Sequence, residues 1–96
     1  MLTGKQKRYL RSLAHHISPI FQVGKGGVND QLIRHIEEAI ETRELIKVSV
    51  LNNCMEDRNE VAETLADGAD AELVQVIGRQ IVLYKESREH KQIELP

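Results

Sequence analysis

Apolar positions fall at helical spacing in three stretches of this chain and in short β-rich runs between them. Leu10, Leu13, Ala14 and Ile17 keep the i, i+3, i+4, i+7 spacing of a buried stripe, which predicts a first helix from Thr3 to about His16. Thr3 followed by Gln6 reads as a capping box at its start. Lys5, Arg8, Arg11, Ser12 and His15 fall on the opposite side. Pro19 stops this helix, and Ile20 to Val23 form a short strand. Asn29 is a good N-cap for a second helix ending near Arg43, with Leu32, Ile33, Ile36 and Ile40 inward and Glu37, Glu38 and Glu41 facing water. Leu45 to Leu51 reads as a strand with Lys47 and Ser49 on one face. A third helix begins at Asp57, with Glu60 completing a capping box, carries Val61, Ala62 and Leu65 inward and stops at Gly68. Leu73 to Ile77 and Gln80 to Tyr84 form a hairpin, and the leading glycine of Gly78-Arg79 suits a type II′ turn.

The order α-β-α-β-α-β-β predicts a compact α/β sandwich, a four-stranded mixed sheet packed with helices. A length of 96 residues makes one domain with a small core and marginal stability. Glu86 to Pro96 looks like a polar tail, free to fray. The single Cys54 cannot form an internal disulfide, which fits a reducing, cytoplasmic location. No apolar run is long enough to span a bilayer, and the N-terminus lacks the apolar segment of a signal peptide.

Charge changes the picture. The net charge of −2 suggests nothing, but its distribution does. Met1 to Asn29 holds five basic residues (Lys5, Lys7, Arg8, Arg11, Lys25) and no acid. Asp30 to Glu72 holds twelve acids against four bases, and Leu73 to Pro96 four bases against three acids. Such asymmetry is what a polyanion-binding face produces on a protein of modest pI. The cationic side of the first helix has no acid for i, i+4 pairs, so its like charges repel unless a partner neutralises them. A solvated outer face is the plainer alternative.

Gly24-Lys25-Gly26-Gly27 sits between the first strand and the second helix. Glycines there let another backbone approach closely, and free N–H groups of the turn and helix start can meet an anion. A Walker loop would need Ser or Thr where Gly26 follows Lys25, and a dinucleotide fingerprint would need glycine at Asn29, so both nucleotide-cofactor readings fail. A tight turn with a solvated lysine stays open as the plain reading. Asp30 in the first turn of the second helix is unfavourable beside a bound phosphate.

Catalysis finds little support. His15, His16, His35, His90 and Cys54 show no metal-ligand spacing, and adjacent His15 and His16 diverge by about 100° on a helix. No cofactor is implied. The three aromatics are Tyr9, Phe21 and Tyr84, the last two in strand patterns that suit core packing, so the base-stacking platform of an RRM or OB surface is missing.

Separated blocks carry a family resemblance. Leu2-Thr3-Gly4-Lys5-Gln6, Leu10-Arg11-Ser12-Leu13-Ala14-His15, Val23-Gly24-Lys25-Gly26-Gly27, Glu44-Leu45-Ile46-Lys47-Val48, Leu73-Val74-Gln75-Val76-Ile77-Gly78-Arg79 and Val82-Leu83-Tyr84 keep the order of a bacterial stand-alone CRM domain, the YhbY-like type, from residue 2 to about residue 85. The resemblance implies an RNA-binding domain with a fold similar to the C-terminal domain of translation initiation factor three. It implies ribosomal RNA of the large-subunit precursor as partner, in subunit assembly, with a GxxG loop at Gly24, Lys25, Gly26 and Gly27 as the RNA-contacting element. For Lys5, Lys7, Arg8, Arg11 and Arg79 the expectation rests on charge and position. A monomer is expected. The alternative is a module docking on ribosomal or assembly proteins through the acidic stretch.

Overall fold

In the computed structural model, which describes all of Met1–Pro96, seven elements follow in the expected order: α1 (Gly4–Ala14), β1 (Phe21–Val23), α2 (Asp30–Arg43), β2 (Leu45–Val50), α3 (Arg58–Gly68), β3 (Glu72–Ile77) and β4 (Gln80–Tyr84). The capping box at Thr3 forms in both directions, and Asn29 Oδ1 accepts from Leu32 N at 2.8 Å. Asp57 caps α3 by accepting from Asn59 N and Glu60 N, without the return bond from the Glu60 side chain. No helix is long and apolar enough to cross a membrane.

The sheet order is β1-β2-β4-β3, with β1 parallel to β2 and the other pairs antiparallel. A parallel pair needs a crossover, which α2 supplies. The larger core lies between one sheet face and α2 with α3: Ile46, Val48, Val50, Ile81 and Leu83 meet Ile36, Ile40, Val61, Ala62 and Leu65. On the opposite face α1 alone packs Leu10 and Ala14 against Leu45, Val74, Val82 and Tyr84. Only Gly78 of the hairpin loop has positive φ (56°), as a type II′ turn requires. Tyr84 is buried and Phe21 packs on the larger core, so both strand aromatics serve packing.

Three further details differ from expectation. Gly68 is the last helical residue, not the stop; a Cβ there would press on Ile33 of α2. The left-handed position is Asp70 (φ 52°), and Ala71 N to Ala66 O with Asp70 N to Asp67 O completes a Schellman ending. The pairing of β3 with β4 slips between Leu73 and Gln75, so a β-bulge puts Val74 and Gln75 on the same, α1-facing side.

The third difference is the C-terminal segment, which is held rather than frayed. Glu44 closes α2 at φ 65°, fully buried, and its carboxylate accepts from Ser87 N (2.8 Å), Gln92 N (2.6 Å) and Ile93 N (2.8 Å). Glu41, expected to face water alone, accepts from Ser87 Oγ and from Arg88 N and Glu89 N. Ile93 and Leu95 are thereby laid against the core under α1, and Gln6 Nε2 donates to Pro96 O. The segment is a strap over the open edge of that smaller core.

Candidate functional site

The Gly24–Gly27 loop leaves the C-terminal end of β1 as a tight turn closed by Gly27 N to Gly24 O at 3.0 Å. Lys25 and Gly26 form its exposed tip, and neither of their N–H groups has a partner within the protein. Gly27 is left-handed (φ 67°), and a Cβ there would collide with Oε1 of Glu56. That carboxylate accepts from Val28 N at 3.1 Å. The sequence suggests a loop and helix start with N–H groups free for an anion. The structure narrows this in part: Val28 N is taken by Glu56 and Leu32 N by Asn29, which leaves the N–H groups of the Lys25–Gly26 tip and those of Asn29, Asp30 and Gln31 at the helix start without a partner.

The fold brings only some of the predicted cations to this end of the sheet. Leu51 N donates to Val23 O and Val50 N donates to Arg79 O, so the start of the loop and Arg79 flank the end of β2. Two strand spacings separate them, about 10 Å. Arg79 shares a shallow depression with Arg58 but also with Glu56 and Asp57, so its surroundings are mixed. Arg11 reaches the same end from α1, where it and His15 line a cleft with Gly78. Lys5, Lys7 and Arg8 lie toward the other end of α1, where the Met1 ammonium pairs with Glu72. Arg8 and Lys5 are exposed and Lys7 is half-buried. The exposed acids of α2 and α3, such as Glu37, Glu38 and Glu63, belong to helices on the opposite sheet face from α1. Sequence reasoning missed Glu56 as the partner of the loop and Lys47 as a lining residue of the cleft. The alternation that sets Lys47 and Ser49 apart on β2 was the only signal for the latter.

Two glycines in one motif therefore have different jobs. Gly27→Ala should destabilise the fold by about 1–3 kcal/mol, because it strains a left-handed backbone and displaces Glu56 from Val28. The cost stays moderate because the Glu56 side chain can swing away. Gly26 has open space around it and no positive φ, so Gly26→Ala should stay within about 0.5 kcal/mol of wild type. Urea unfolding of both variants checks the contrast; equal losses would mean the tip is not free.

Comparison with known proteins places the chain. The model of the CRS1 / YhbY (CRM) domain matches residues 2–85. A Bacillus subtilis protein named "Probable RNA-binding protein" is 72% identical over 96 residues, covering 100% of both chains. A Haemophilus influenzae protein named "RNA-binding protein" is 38% identical over 95 residues, covering 99% of this chain and 95% of the other. A Staphylococcus aureus protein solved in solution superposes with a TM-score of 0.83 at 64% identity, covering 100% of both chains. With several motif blocks in register and one fold throughout, the chain belongs to the CRS1 / YhbY (CRM) domain family.

Proposed function

We propose that this protein binds RNA, and specifically ribosomal RNA of the large-subunit precursor during assembly, with the ribose-phosphate chain lying against the Lys25–Gly26 tip. The observation that carries the reading is the tip itself: exposed, with an unpaired lysine, two unbonded N–H groups and no Cβ on Gly26 to hold a backbone away. Arg79 and Arg11 stand at the same end of the sheet, and Arg8 and Lys5 extend the cationic track along α1. The names of the relatives support the RNA part of the reading.

In-cell crosslinking with RNA sequencing tests it, comparing wild type with Lys25→Glu. The expected result is a focused ribosomal-RNA footprint in wild type that the variant loses. An unchanged footprint would count heavily against the tip. If charge reversal at Lys25 and Arg8 leaves particle association intact while Glu37→Lys with Glu38→Lys abolishes it, docking on a basic protein through α2 replaces this proposal.

A further inference from the structure

We propose that the cleft between the C-terminal end of α1 and the hairpin end of the sheet receives one nucleotide of the bound RNA, its phosphate on Arg11, His15 and Lys47 and its base edge on Gln75 and Gln80. The inference rests on the RNA-binding reading and adds to it a pocket where bases are read.

The cleft exists because α1 ends at Ala14 before the sheet does. In register, Lys47 pairs with Val82, Ser49 with Gln80, and Gln75 and Ile77 with Val82 and Gln80. These residues share the α1-facing side of the sheet, and α1 covers only the end nearer Tyr84. What is left open is a cleft of about 270 Å³ walled by Arg11 and His15 and floored by Lys47, Gln75, Ile77 and Gln80. That volume lies just under the range of small-ligand pockets, about 300 Å³ and upward, which suits one nucleotide rather than a packed strand.

Its chemistry is one-sided. The lining holds two cationic side chains, Arg11 and Lys47, beside the imidazole of His15, and no carboxylate, in a protein whose net charge is −2. Neither Arg11 nor Lys47 is in an ion pair. Unneutralised cations at a concave surface attract a phosphate. The two glutamine amides each offer donors and an acceptor, the groups that pair with base edges of unstacked RNA. Ile77, 55% exposed, supplies an apolar surface beside them for the face of a base.

The bulge is the independent observation. Regular alternation would have sent Val74 and Gln75 to opposite faces; the slip between Leu73 and Gln75 turns both to the α1 side. Val74 then fills the core and Gln75 enters the cleft. Bulges commonly re-aim a side chain beside a functional site.

The test is fluorescence anisotropy with four single-stranded ribo-oligonucleotide homopolymers, comparing wild type, Lys25→Glu, Lys47→Ala, Gln75→Ala and Gln80→Ala. Wild type should bind all four and favour one base by about 5-fold or more. Gln75→Ala and Gln80→Ala should erase that preference while leaving the weaker homopolymers within 2-fold. Lys47→Ala should weaken all four about equally and lower the salt slope by roughly one phosphate. Because Lys47 is half-buried, the side-chain amide signals of Gln75 and Gln80 in wild-type NMR spectra give a second readout, and they should shift on saturation with the preferred oligonucleotide. No binding by wild type sinks both readings. Binding that depends on Lys25, without base preference or amide shifts, overturns the cleft alone.

Discussion

Glu44→Ala is expected to cost about 2–4 kcal/mol of stability, with the C-terminal segment from Glu86 onward lost first. Three N–H groups, that of Ser87 buried and those of Gln92 and Ile93 partly buried, share this one carboxylate, and each would otherwise have to find water. The cost is capped, because the strap can leave and rehydrate its own backbone. At this chain length each kcal/mol lowers Tm by about 4–8 °C. Glu44→Gln should fall between, since an amide offers one acceptor oxygen where the carboxylate uses two. Glu44→Gly separates two contributions: it loses the carboxylate but is at ease at φ 65°, so it should be less damaged than the alanine variant.

The same site fixes an acid limit. Burial pushes the Glu44 carboxyl up, but the N–H groups of Ser87, Gln92 and Ile93 and the charge of Lys91 outweigh it, holding the group below its ordinary value of 4.5. Glu41 is likewise held low, first by the Ser87 hydroxyl and then by the Arg88 N–H. A carboxyl with a lowered folded-state pKa contributes stability that is complete above its unfolded value and is lost as pH falls through the folded one. The strap should therefore stay docked at neutral pH and release below about 4.5. Amide hydrogen exchange at Ser87 to Leu95 across that range checks it, and Glu44→Gln should flatten the response. Release without any effect on α1 would mean that Ile93 and Leu95 do not contribute to its packing.

This strap shows where sequence reading stops. The stripes of α1 and α2, the caps at Thr3, Asn29 and Asp57, and the Gly78-Arg79 turn are local patterns, so they could be read directly and from them the fold class. Glu44 with Ser87 spans 43 positions, and Glu56 with Val28 spans 28; no local spacing announces such partners. Glu41 looks like any exposed acid of an amphipathic helix until the chain returns to it. Gly68 misleads because a glycine at a helix end usually marks the left-handed cap, whereas here close approach to Ile33 asks for it and Asp70 takes the strained position. The candidate site divides the same way. The exposed tip was legible in four residues, but bringing Arg11 and Arg79 to the same end of the sheet, and leaving Lys5, Lys7 and Arg8 farther along α1, depends on sheet order and the direction of α1.

RNA affinity should fall roughly 20- to 130-fold when monovalent salt is raised from about 50 to about 200 mM, a log–log slope of about −2 to −3.5 for three to five neutralised phosphates on a single strand. Few aromatic surfaces are open to stack on: Tyr84 is buried and Phe21 packs on the core, which leaves Tyr9, 38% exposed. Phosphate contacts must then carry most of the free energy, and counterion release makes that energy salt-dependent. Lys25→Glu should reduce both the affinity and the slope, because it removes a cation at the exposed tip and puts a charge there that repels phosphate. Arg8→Glu should act most on oligonucleotides long enough to run from the tip onto α1. On the shortest ones that still bind it should have little effect, since Arg8 stands toward the other end of that helix. Anisotropy titrations at four salt concentrations decide the matter. A slope near zero would assign the binding energy to contacts other than phosphate, and equal Arg8 and Lys25 effects at every length would mean that the two cations grip the same stretch of chain.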